Sequence, residues 1–195
     1  MNGAKKCGSN AGPIHHTNFF KRKSMSKQKR DSRSIRSLID ILASEDGANR
    51  QSARNSLVAM GKPAVLFLTR ALQNSESDQV RWEAAKALRA IGDTRAIPRL
   101  VNALKDSNPD VAWLAAEALR QFKKWAWPPL MWQLIKDGSE SALLRQGAHH
   151  VLRNQQEDGF NDLLATLRTY LESTTLQEST PLAAYDILKK MKTKS

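Results

Sequence analysis

Four histidines, one cysteine and five tryptophans are the side chains in this 195-residue sequence where chemistry would first be sought. The histidines form two adjacent pairs, His15-His16 and His149-His150. Neighbours on a helix point about 100° apart, so His149 and His150 cannot readily close on one metal ion, and both read as helix surface. Cys7 is the single cysteine, which excludes an internal disulfide and cannot form a metal site alone. No glycine-rich phosphate loop occurs, and no Ser, His and Asp fall at a spacing familiar from nucleophilic catalysis. No catalytic, metal or cofactor-binding residue is assigned, and no cofactor is expected. Trp82 and Trp113 recur at equivalent places, and Trp132 falls in one column with Thr69 and Val101. Such tryptophans read as packing between stacked neighbours. Trp125 and Trp127, in the irregular segment KKWAWPP, are candidate aromatic anchors for a partner.

The formal net charge of +12 points to nucleic acid until it is located. Residues 1–36 hold ten Lys/Arg against Asp31, or +9, whereas the remaining 21 basic and 18 acidic residues leave only +3. Residues 1–32 mix Gly, Asn, Ser, Lys and His without apolar periodicity, the composition of a disordered basic tail. Its densest run, KRKSMSKQKR over 21–30, suits a solvated tail with weak, nonspecific contact to nucleic acid. Met25 is a second candidate start. No apolar run approaches the length of a membrane span, no secretory signal is evident, and a single cysteine fits a reducing, cytoplasmic setting.

The folded region must therefore supply whatever positions a binding surface. Its clearest stretch is Val80 to Lys105. Ala84, Ala87, Leu88 and Ile91 lie on one face of a first helix, and Gly92-Asp93 stops it. Pro98 opens a second helix whose apolar positions are Ile97, Leu100, Val101 and Leu104. Arg50, Ala53, Leu57 and Gly61 stand 31 residues before Arg81, Ala84, Leu88 and Gly92. A third copy begins at Val111, keeps the 31-residue offset, and places Pro129, Met131 and Ile135 on its second helix. A fourth begins at Arg145, with Ala148, Val151 and Leu152, and continues through Leu163, Leu167 and Tyr170. A half-copy precedes them at Ile35–Leu42. Another follows, where Ala184, Ile187 and Leu188 match Ala148, Val151 and Leu152. A lone hairpin cannot cover its own apolar faces, so the copies must stack.

The run Arg81–Leu100, Arg-x-x-Ala-x-x-Ala-Leu-x-x-Ile-Gly-Asp-x-Arg-Ala-Ile-Pro-x-Leu, resembles a HEAT repeat of the bilin-lyase (PBS-lyase HEAT-like) type. The resemblance covers roughly residues 37–192. It implies an all-α solenoid, a right-handed superhelix of about four full repeats with half-repeats at both ends, occupying residues 33–195. Lys123 stands where the stop glycine belongs, and no Gly-Asp follows Leu152. HEAT-like hydroxylases carry His-Glu dipeptides as iron ligands, and this chain has none.

In HEAT stacks the second helices line the concave surface. By offsets of 32 and then 31 residues the outward columns are Phe67, Arg99 and Leu130; Arg70, Asn102 and Gln133; and Gln73, Lys105 and Lys136. Mixed basic, polar and apolar residues suit a protein groove better than a phosphate track. The expected function is thus a non-enzymatic scaffold binding another protein through this face, with Trp125 and Trp127 as added anchors. Nucleic-acid association through the tail and a bilin-lyase-like accessory role are the alternatives.

Overall fold

A computed structural model describes residues 31–193, in which ten α-helices follow one another with short connections. The basic run at 21–30, with the nucleic-acid contact expected of it, lies outside the described residues, as does nearly all of the expected tail. Helix α1 covers residues 31–41. It is followed by α2 (Gly47–Met60), α3 (Lys62–Asn74), α4 (Asp78–Ile91), α5 (Ile97–Ala103) and α6 (Pro109–Gln121). The remainder are α7 (Trp127–Asp137), α8 (Ala142–Leu152), α9 (Asn161–Glu172) and α10 (Thr180–Thr193).

Local chemistry sets each boundary. Asp46, Ser77, Asn108 and Ser141 precede α2, α4, α6 and α8, and each side chain accepts a hydrogen bond from a first-turn backbone N–H. Such a cap contributes about 1 kcal/mol. Proline occupies the first turn of α3, α5 and α7, where its missing N–H costs no helical hydrogen bond. The first-row helices end on residues of positive φ at a constant 31-residue interval: Gly61, Gly92, Lys123 and Asn154. The bend lost on paper at Lys123 is therefore present, with a lysine at φ 50° doing what Gly92 does at φ 65°.

The helices form two rows. In the first, α2 packs on α4, α4 on α6 and α6 on α8; in the second, α3 packs on α5 and α5 on α7. Ala53, Ala84, Ala115 and Ala148 are all buried where first-row helices meet, as are Leu57, Leu88, Leu119 and Leu152. Small side chains permit the close approach, and the leucines fill the space between rows, each burial contributing about 1.5–3 kcal/mol. Gly147 takes this furthest: a Cβ there would lie 2.9 Å from that of Leu104, so α8 rests on the end of α5 in a way no other residue permits.

Two expectations need correction. The third repeat's second helix runs one residue ahead of the 31-residue offset, because the turn from Lys123 to Trp127 is one residue shorter than that from Gly92 to Ile97. Leu130, expected on the outward face, is 0% exposed and fills the place of Leu100; Met131 fills that of Val101. Trp132, expected beside Thr69 and Val101, is 58% exposed. The second correction concerns the C-terminal end. Ala184, Ile187 and Leu188 are buried as expected, but α10 packs chiefly on α7 and then on α9, and barely meets α8. Thr180 approaches Gly138 at the end of α7, while Lys190 near the other end of α10 reaches Phe160, which packs edge-on against Trp127. α10 therefore runs antiparallel to α7. In α9 it is Leu164, Leu167 and Leu171 that are fully buried, with Leu163 and Tyr170 only partly covered.

Candidate functional site

The second row presents two shallow hollows. The first lies between α1 and α3 and extends to the loop before α4; Arg36, Phe67 and Arg70 line it. Arg36 holds its guanidinium 5.8 Å above the Phe67 ring, a cation–π contact that leaves Phe67 half-buried. The second hollow, between α5 and α7, is lined by Pro98, Asn102, Pro129, Trp132, Gln133 and Lys136. Trp132 forms its aromatic wall, with the Lys192 ammonium 5.9 Å from its ring.

The expected binding residues divide accordingly. Phe67 and Arg70 share the first hollow, and Asn102, Gln133 and Lys136 share the second. Arg99 is exposed on α5 and forms no ion pair with any described residue, and the same holds for Arg70. Lys105 is engaged: its Nζ lies 2.6 Å from Asp137, which also accepts a hydrogen bond from Gln133. The Lys105 hydrogen bond holds the Asp137 carboxyl below its ordinary pKa of 3.8. Leu130 belongs to the core. Trp125 is 78% exposed and remains free to act as an anchor, whereas Trp127 is 1% exposed against Phe160 and presents nothing to a partner. Trp132 is the residue that sequence reasoning missed. Its signal was the double proline of WPPL, which starts α7 early and shifts every later side chain by one place.

On the opposite row the histidines serve as ties between helices. His150 Nε2 lies 2.6 Å from Glu117 on α6, and His149 Nε2 lies 2.7 Å from Glu172 on α9. Burial raises the cost of charge on Glu117, but hydrogen bonds from His150 and Arg120 outweigh it and hold the carboxyl below its ordinary pKa of 4.5. Arg89 on α4 stands 3.9 Å from the same carboxylate, so three layers meet there. Glu83, only 3% exposed, pairs with Arg54 and lies 3.7 Å from Arg50, both on the preceding layer. Among the described residues, no group of three or more His, Cys, Asp or Glu side chains is placed to hold a metal.

Two rows of antiparallel hairpins, capped alike and sharing Ala and Leu columns, define an α-solenoid with an open second-row face. The chain belongs to the HEAT-repeat family: the family model for HEAT repeats matches residues 35–120 and, in a second overlapping placement, residues 65–153. No curated protein matches the sequence. No helix among the described residues is long and apolar enough to cross a membrane.

Proposed function

We propose that this protein is a non-enzymatic scaffold that binds another protein through the second-row face of its repeats. The observation that carries the reading is the hollow between α5 and α7, where Trp132 lies exposed beside Lys136, with Arg70 and Arg99, ion-paired to no described residue, along the same row. An exposed tryptophan set among cations suits a partner segment that offers an apolar side chain flanked by carboxylates. HEAT repeats commonly mediate contacts between proteins, which supports the same reading. The bilin-lyase-like form of the repeat is supported by the Gly92-Asp93 turn, in which Asp93 caps the 3-10 turn Thr94–Ala96 and holds Arg95. A cytoplasmic setting is supported by Cys7 being the sole cysteine.

The test is affinity capture with the wild-type chain and with Arg70→Glu/Arg99→Glu/Trp132→Ala, after nuclease treatment. All three side chains are exposed, so the variant should keep the wild-type melting temperature and lose its protein partners. Capture of the same partners at the same yield by the folded variant would remove the second-row face from consideration.

A further inference from the structure

One rung of an internal ladder is missing. In three layers, an arginine near the start of a first-row helix turns back and donates its Nη1 hydrogens to two successive carbonyl oxygens just past the preceding helix. Arg50 serves Ser44 and Glu45 at 2.7 and 2.8 Å, and Arg81 serves Ser75 and Glu76 at 2.9 and 3.1 Å. Arg145 serves Gly138 and Ser139, both at 2.9 Å. These guanidiniums satisfy carbonyls of the loop that leaves the helix, which no backbone N–H of the described residues reaches. In the third repeat the same position is Ala112. The matching carbonyls, those of Asp106 and Ser107, accept no hydrogen bond from any described residue.

The space so left is a cleft of about 350 Å³ between α6 and α8, lined by Asp106, Ser107 and Ala112. Its other walls carry the groups a guanidinium would meet next. Trp113 is 53% exposed and offers a ring face, Leu143 is half-exposed opposite, and the Asp110 carboxylate stands exposed at the rim. Asp106 itself is already bound by Arg81 through both carboxylate oxygens at 2.8 and 2.9 Å, so its side chain is held in place and only its carbonyl is unclaimed. A guanidinium can bond two adjacent carbonyls in its plane while laying its flat face on an indole, whereas an ammonium is a strongly hydrated point charge with no flat face to stack.

We propose that this cleft is a recognition site for an arginine side chain of a partner peptide, seated where Ala112 withholds the chain's own. It is separate from the second-row face and does not depend on it.

The probe is N-acetyl-arginine amide, titrated into the full chain and followed by two-dimensional NMR of the backbone amides and the Trp113 indole. Saturable shifts at Ser107, Ala112 and Trp113 are expected, with binding at least fivefold weaker for N-acetyl-lysine amide. Ala112→Arg should restore the rung, raise the melting temperature and abolish those shifts. Asp110→Asn, which leaves the slot open, should weaken binding severalfold, so the assignment remains testable if Ala112→Arg fails to fold. Equal binding of the lysine probe, shifts that persist in folded Ala112→Arg, or no saturable response in the wild type would each overturn it.

Discussion

Lys123 shows how a repeat survives the loss of its most characteristic residue. An L side chain in the left-handed region costs about 1–2 kcal/mol, since its Cβ crowds the following carbonyl, yet the bend after α6 is kept at φ 50°. Packing on both sides of the turn outweighs that local cost. Lys123→Gly should therefore stabilise the chain by about 0.5–1 kcal/mol, the relief of strain being partly offset by the greater freedom of unfolded glycine. A higher urea midpoint at unchanged slope is the readout. Glu83 carries the opposite lesson. It is buried between layers with Arg54 and Arg50 as its partners, so Glu83→Ala leaves two partly covered guanidiniums uncompensated. A loss of about 2–3 kcal/mol is expected, below the 3–5 kcal/mol of a fully buried pair because both arginines keep some contact with water. Most of that loss should vanish when Arg54→Ala is added, which a double-mutant cycle would measure. Asp93 sets the acid limit of the turn: the Arg95 side chain and the Arg95 backbone N–H hold its carboxyl down at about 2, against an ordinary 3.8. A carboxyl depressed in the folded state stabilises fully above its unfolded pKa and loses that contribution as pH falls through the folded one. Stability should thus decline between about pH 4 and pH 2, and Asp93→Asn should make the decline shallower in a pH series of thermal melts.

At the scale of the element, the stop glycines, the prolines and the Ala and Leu columns were legible in the sequence because each records a local requirement. Gly92 after α4 and Ala84 within it can be read without knowing what lies across the row. The register of α7 was not legible in that way. A spacing counted from α6 carries into α7 only if the turn between them keeps its length, and the Lys123–Trp127 turn is one residue shorter than its counterpart. That single residue moved Leu130 from the expected face into the core and brought Trp132 out. Apolar content alone could not decide between them, since Leu and Trp are both credible core residues. The partner of α10 was hidden for a different reason. Its buried stripe of Ala184, Ile187 and Leu188 fits a first-row helix, and periodicity within a helix does not say which neighbour will cover it. Ile187→Ala tests the packing directly. The cavity should destabilise by about 2–4 kcal/mol, and hydrogen exchange should quicken in α7 more than in α8. The reverse order would contradict the contact between α10 and α7.

For the whole molecule, stability is a sum over neighbouring layers, and the surfaces that face outward are what remains once those layers are closed. The first row spends its polar side chains on ties between layers: Glu83 to Arg54, Glu117 to His150, and Arg81 to the loop at Asp106. The second row leaves Arg70, Arg99 and Trp132 without such ties to described residues, and the proposed use of that face rests on this difference between the two sides.

The reversed seat of α10 also bears on assembly. A stack of alike hairpins is in principle a one-dimensional crystal, ready to grow by accepting any further unit that repeats its last face. Against α7 the next second-row place is held by α10, which points the opposite way, so a unit that repeated the polarity of α7 would not find its seat there.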